Sequence, residues 1–82
     1  MTNTNTLVKI DKSVQFTPVK GSSLIASYSR AAGDLAIRLN SGQTYIYKGV
    51  DQATFEGFVA ATSKGKYFGA NIKPKFIAEQ AE

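Results

Sequence analysis

Between Leu35 and Lys48, two runs of alternating character, "LAIRL" and "TYIYK", flank the short polar stretch "NSGQ". Side chains of a strand point to opposite faces in turn, so two such runs around a glycine-bearing bend read as a β-hairpin. The parity of the bend then decides which residues share a face, because a slip of one residue carries every side chain to the other side. A two-residue loop, Ser41-Gly42, pairs Leu39 with Thr44 and sets Tyr45 and Tyr47 opposite the aliphatics. A three-residue loop, Asn40-Ser41-Gly42, is a type I turn closed by a left-handed glycine; it pairs Leu39 with Gln43, Ile37 with Tyr45 and Leu35 with Tyr47. The three-residue loop is the preferred reading, since it collects Leu35, Ile37, Tyr45 and Tyr47 on a face that a helix can cover. Arg38, Thr44 and Lys48 then turn outward to solvent. The two-residue alternative would group Arg38 with both tyrosines, as in a base-stacking platform with a cation alongside.

The covering helix follows at once. Asp51 can cap a first turn, and Phe55, Phe58, Val59 and Thr62 recur at i, i+3, i+4 and i+7 as one apolar stripe. Gly57 within that helix costs about 1 kcal/mol against alanine, which predicts a close approach to the sheet there. Gly65 reads as the left-handed residue that stops the helix. Upstream, "LVKIDKSVQFTPV" alternates Val8, Ile10, Val14 and Phe16 around "DKS" and ends at Pro18, giving one or two short edge strands. "SSLIASYS" is β-rich and "RAAGD" supplies a turn. Downstream, "KYFGANIKPKFIAEQAE" has irregular spacing broken by Pro74, and the final "AEQAE" is expected to fray or form a turn of helix. The sum is an α+β fold: a small antiparallel sheet of three to five strands with one amphipathic helix packed on one face. Residues 1–18 form a polar tail and edge strands, 19–77 the domain, and 78–82 an acidic tail.

Eighty-two residues at 43% hydrophobic content fit one core. A chain of that length buries only about 60–65% of its unfolded surface, so a homo-oligomer that adds to the core is an open expectation. With neither cysteine nor histidine, the sequence excludes disulfides, thiolate or imidazole metal sites, and nucleophiles activated by histidine. The carboxylates Asp34, Asp51 and Glu56 read as turn, cap and helix surface rather than as an acid–base pair, so the expectation is a protein that is not an enzyme and needs no cofactor or metal. No apolar run nears the roughly 20 residues of a spanning helix, and "MTNTNTLVKI" lacks the pattern of a secretory signal. A cytoplasmic protein with no membrane partner is expected.

The net charge of +4 favours anionic partners. Lys64, Lys66, Lys73 and Lys75 lie in "SKGKYFGANIKPK" with no acidic residue among them and with Tyr67 and Phe68 interleaved. Cations beside rings are what single-stranded RNA binding needs, because lysines neutralise phosphates while exposed rings stack on bases. With Arg38 and Lys48 added, these are the candidate nucleic-acid or anion contacts. The competing reading is a solvated basic loop whose Phe68, Ile72 and Tyr67 close the core. Gly65 between lysines also suggests a phosphate cradle, but no G-x-x-x-x-G-K-[ST] is present and a helix C-terminus repels anions.

From Leu35 onward the order of features, a strand, "Y-x-Y-x-x-V", an amphipathic helix and "A-x-S-K-G-K-Y-F", resembles the KTSC domain family. That family is named for an appendage at the C-terminus of some lysyl-tRNA synthetases and includes stand-alone bacterial and phage proteins. The matching positions are Tyr45, Tyr47 and Val50, then Ala61, Ser63, Lys64, Gly65, Lys66, Tyr67 and Phe68, with Ile72 beyond, and Ser22, Ser23 and Tyr28 are similar to the family's opening. Asp51 stands where the family often has proline, and Gly69 where it often has asparagine. The resemblance implies RNA binding by association with a tRNA-charging enzyme. The alternative is a protein-interaction or homo-oligomeric regulatory module, motivated by the amphipathic "LVKIDKSVQFTPV". A third reading is capture of a small anionic nucleotide at a subunit seam.

Overall fold

A computed structural model describes residues 15–31 and 33–81. The strand pattern expected at Val8, Ile10 and Val14 lies outside the described residues. Five strands, β1 (Thr17–Pro18), β2 (Ile25–Ala31), β3 (Asp34–Leu39), β4 (Thr44–Tyr47) and β5 (Ala78–Ala81), form one sheet in sequence order, every neighbour antiparallel. Between β4 and β5 run α1 (Gln52–Ala60), α2 (Lys64–Tyr67) and a π-helical turn, Phe68–Ile72. The fold is α+β.

The hairpin takes the odd register. Ile37 pairs with Tyr45 and Leu35 with Tyr47, while the Leu39 N–H donates to the Gln43 carbonyl at 2.8 Å and the Gly42 N–H to the Leu39 carbonyl at 2.9 Å. Gly42 has φ +101°, a conformation that side chains with a Cβ disfavour. Leu35, Ile37 and Tyr47 are therefore buried together with Ile25, Val50, Phe58, Phe68 and Ile72. Tyr47 meets Phe68 edge to face at 5.2 Å, and Phe58 meets Tyr28 at 5.2 Å. Thr44 does point to the outer face but is buried rather than solvated, because it pairs with Ala81 of β5 and accepts from Arg38 Nε at 3.2 Å.

Asp51 caps α1 as its chemistry requires. Its carboxylate accepts from the Thr54 N–H at 3.1 Å and the Thr54 hydroxyl at 2.7 Å, and these bonds hold its pKa below the ordinary value. The helix is shorter than the stripe predicted. It ends at Ala60, Val59 is 39% exposed, and Thr62 lies beyond the helix in the 61–63 connection. Gly65 is consequently no helix stop; it sits inside α2, so the expected C-terminal repulsion of anions does not apply there.

Geometry explains the break. At 3.6 residues per turn, positions nine apart face about 180° away from each other, so one straight helix would point Tyr67 away from Phe58. With the chain extended at Ala61, the Tyr67 ring instead returns over α1, 6.4 Å from the Phe58 ring, and its hydroxyl donates to the Thr54 carbonyl at 3.0 Å. Gly57 is the partner of that ring and not of the sheet: a Cβ there would stand 2.8 Å from Tyr67 Cζ. The tail expectation is also corrected. Residues 78–81 are the strand β5, tied to β4 from Thr44↔Ala81 to Tyr47↔Ala78 and preceded by the Lys48 N–H to Ile77 carbonyl bond at 2.9 Å. Pairing with β4 supplies what the weakly apolar "AEQA" lacks.

Candidate functional site

The β1–β2 connection and the α1–α2 connection meet along one rim of the molecule. In the first, the Ser22 hydroxyl oxygen accepts from the Leu24 N–H at 3.2 Å and the Ile25 N–H at 3.0 Å, fixing a tight turn. The Asn40 amide donates to the Ser22 carbonyl at 3.0 Å and ties this turn to the hairpin loop. Both oxygen lone pairs of Ser22 are engaged, which leaves its O–H as a donor. Across from it, Gly65 allows close apposition: a Cβ on Gly65 would lie 3.4 Å from Ser22 Oγ and 3.6 Å from Leu24 Cβ.

Three adjoining hollows follow this rim. The first, of about 220 Å³, is lined by Lys20, Gly21, Ser22, Thr62, Ser63 and Lys64, with Val19 at its side. The second, about 260 Å³, shares Gly21, Ser22 and Ser63 and adds Ser23, Leu24 and Lys66. The third, about 470 Å³, shares Leu24 and opens between the β4 tyrosines and the π-helical turn, with Lys73 at its edge. Among the described residues no carboxylate lines any of the three. The Lys64 ammonium donates to the Ala61 carbonyl at 3.3 Å, whereas Lys66, Lys73 and Lys75 are exposed. Among the described residues the ion pairs all involve Lys48.

The cations predicted from sequence therefore divide. Lys64, Lys66 and Lys73 line the rim; Lys75 is exposed nearby in sequence but lines none of the three hollows. Arg38 and Lys48 belong to the outer face of the sheet, opposite the helices. Arg38 is held by Thr44 and lies 4.1 Å over the Phe16 ring. Lys48 pairs with Asp34 at 2.8 Å and reaches Glu79 at 4.0 Å. The Lys48 ammonium, then the Gly49 N–H at 3.0 Å, hold the Asp34 carboxyl below its ordinary range, and Asp34 in turn raises Lys48.

The rings divide as well. Phe68 is buried in the core, and Tyr67, partly buried at its margin, is tied by its hydroxyl to the Thr54 carbonyl. Tyr47 is buried, and that burial, with a smaller contribution from Tyr45, raises its phenol pKa. Tyr45 and Tyr67 are both half-buried, and of these two Tyr45 lines a hollow. Lys20, Ser22 and Thr62 are rim residues that sequence reasoning did not select; the Ser22-Ser23 pair was the available signal, since it matched the family opening. Val50 and Phe68 are core, and Ser63 begins α2. Among the described residues no group of acidic side chains could hold a metal ion, and no helix is long and apolar enough to cross a membrane.

Comparison with known proteins fits this architecture to a family. The model of the KTSC domain matches residues 21–76. A protein from Tsukamurella paurometabola is 37% identical over 62 residues, which cover 74% of this chain and 92% of that one. The crystal structure of a KTSC domain protein from Yersinia pestis superimposes with a TM-score of 0.75 at 34% identity, over 85% of this chain and 100% of that one. The chain belongs to the KTSC domain family. The matched span begins at Gly21 and so takes in the α1–α2 connection and the Ser22 turn, but not Val19 and Lys20 of the first hollow.

Proposed function

We propose that this protein is a non-catalytic module that binds single-stranded RNA along the rim. The observation that supports the reading is the run of three adjoining hollows lined by Lys20, Lys64, Lys66 and Lys73, with the hydroxyls of Ser22, Thr62 and Ser63 between them and, among the described residues, no carboxylate in the lining. Lysines act as point charges for phosphates, and neutral hydroxyl donors fix the register of a backbone without reading its sequence. Against catalysis stand the occupations of the acids: Asp34 serves Lys48 and Gly49, Asp51 caps α1, and Glu56 accepts from Gln52 at 2.9 Å. Such a partner would give the protein a cytoplasmic role.

Titration of the protein with a mixed-sequence single-stranded RNA at low salt tests the reading. Binding is expected, with a log–log salt slope of roughly −0.7 for each phosphate contacted. Absence of any complex at low salt would end it. A second reading, interaction with a protein or a second copy, draws on Ile77, which is 79% exposed beside the edge strand β5. An open strand edge is a template for pairing with another chain. A strictly monomeric light-scattering mass at high concentration would remove the self-pairing form of it.

A further inference from the structure

The third hollow differs from the other two in chemistry. Its walls are Leu24, Leu39 and Tyr45 from the sheet side and Phe68 from the π-helical turn, with the Gln43 amide and the Lys73 ammonium as polar groups at its margin. At about 470 Å³ it falls within the roughly 300–1,000 Å³ range of small-ligand clefts. One wall is missing a side chain. Gly69 lines the hollow, and a Cβ there would meet nothing within 4 Å.

We infer that this groove receives one unpaired nucleobase of the bound strand, with Tyr45 as the ring it lies against and Gln43 as the group that meets its polar edge. The inference rests on the RNA reading proposed above and assigns a part of that same surface. A nucleobase has an apolar face, a rim of donors and acceptors, and a phosphate on either side. The groove offers an apolar ring, the Gln43 amide, whose oxygen accepts from the Ser41 hydroxyl at 3.5 Å and keeps a second lone pair beside its N–H donors, and lysines flanking it: Lys73 at its own margin and Lys66 in the adjoining hollow that shares Leu24. An aliphatic ligand would match the leucines but leave Gln43 and the two cations without a role. Tyr45 can serve here because it lies on the covered face of the sheet but past the reach of α1, half-buried, whereas Tyr47 one pair further in is closed over by Phe68.

The test compares an octamer of uridylate with an abasic oligoribonucleotide of equal length, both labelled and titrated by anisotropy at one low salt concentration. The wild-type protein should favour the base-bearing strand by roughly 5- to 150-fold, the range expected of one aromatic–base contact. Tyr45→Ala should erase most of that preference. Gly69→Trp should do the same by filling the groove, and it removes no packed side chain, its Cβ entering open space, so it reports even where Tyr45→Ala loosens the fold. Both variants should keep the wild-type salt slope. Equal affinity for the two strands would overturn the inference and leave the RNA reading standing; no binding of either strand would overturn both. An apolar peptide bound in a manner that Gly69→Trp blocks, without any base preference, would give the groove to a protein partner and overturn it too.

Discussion

The inner face of the sheet has two ends that begin from similar residues and finish differently. At one end Phe58 fills the space over Leu35 and Ile37, Tyr28 and Phe55 pack edge to face at 6.1 Å, Arg30 lies 4.9 Å over the Phe55 ring, and Tyr67 seals the corner against α1. At the other end Tyr45 and Leu39 share the same face and pack against the core only in part, and a groove remains between them, Leu24 and the glycine-bearing π-helical turn. What separates the two is the interruption of the helix at 61–63. One continuous helix could cover one end; two short ones joined by a kink leave the other ajar. The difference teaches that an aromatic ring's availability is decided by where helical cover stops, and not by which face its strand register selects.

Substitutions at the two ends should break apart accordingly, the largest effect being at the closed end. Phe58→Ala removes a fully buried ring and should destabilise by about 3–5 kcal/mol in urea denaturation, whereas Tyr45→Ala should cost about 1–2 kcal/mol. Equal costs would mean that the groove is as well packed as the core. The two helical glycines give a sharper contrast, of opposite sign. Gly57→Ala should destabilise by about 1–3 kcal/mol, because the new methyl collides with the Tyr67 ring. Gly69→Ala should instead stabilise by about 0.5–1 kcal/mol, the ordinary gain in helix propensity, since its methyl meets open space.

The smallest effect belongs to the outer face. Asp34 has a folded pKa below its ordinary value of 3.8, so its contribution to stability is fully present above about pH 4 and is lost as the pH falls through the lower, folded value. Lys48→Met should move the Asp34 carboxyl titration upward, toward 3.8, as followed by NMR, and shift Tm at neutral pH by less than about 5 °C. An unmoved titration would assign the shift to the Gly49 N–H and the Arg30 charge instead.

Much of this arrangement was legible in the chain. The bend "NSG" and the alternation around it gave the register of Leu35, Ile37, Tyr45 and Tyr47, and Asp51 announced the start of α1, because both signals are local. The end of α1 was not legible: no glycine or proline marks Ala61, and the break follows from Tyr67 and Phe58 having to converge, a tertiary demand. Gly65 misled for the same reason, being a packing neighbour of Ser22 and Leu24 rather than a helix terminator. β5 was hidden because "AEQA" acquires strand structure only from pairing with β4. The rim was half visible. Its lysines stand together in sequence at 64–66, but Lys20 and Ser22 reach them only through the fold, and the structure separates Arg38 and Lys48 from them by the thickness of the sheet.

The most direct measurement is the salt dependence of RNA affinity in a protein carrying Lys66→Glu with Lys73→Glu, beside one carrying Lys48→Glu. The rim pair should weaken binding by roughly 10- to 100-fold and make the log–log slope shallower by about 1.4, two phosphates at about 0.7 each, while the outer-face change leaves both quantities close to wild type. An unaltered slope in the rim variant, or an equal loss on changing Lys48, would contradict binding along the rim.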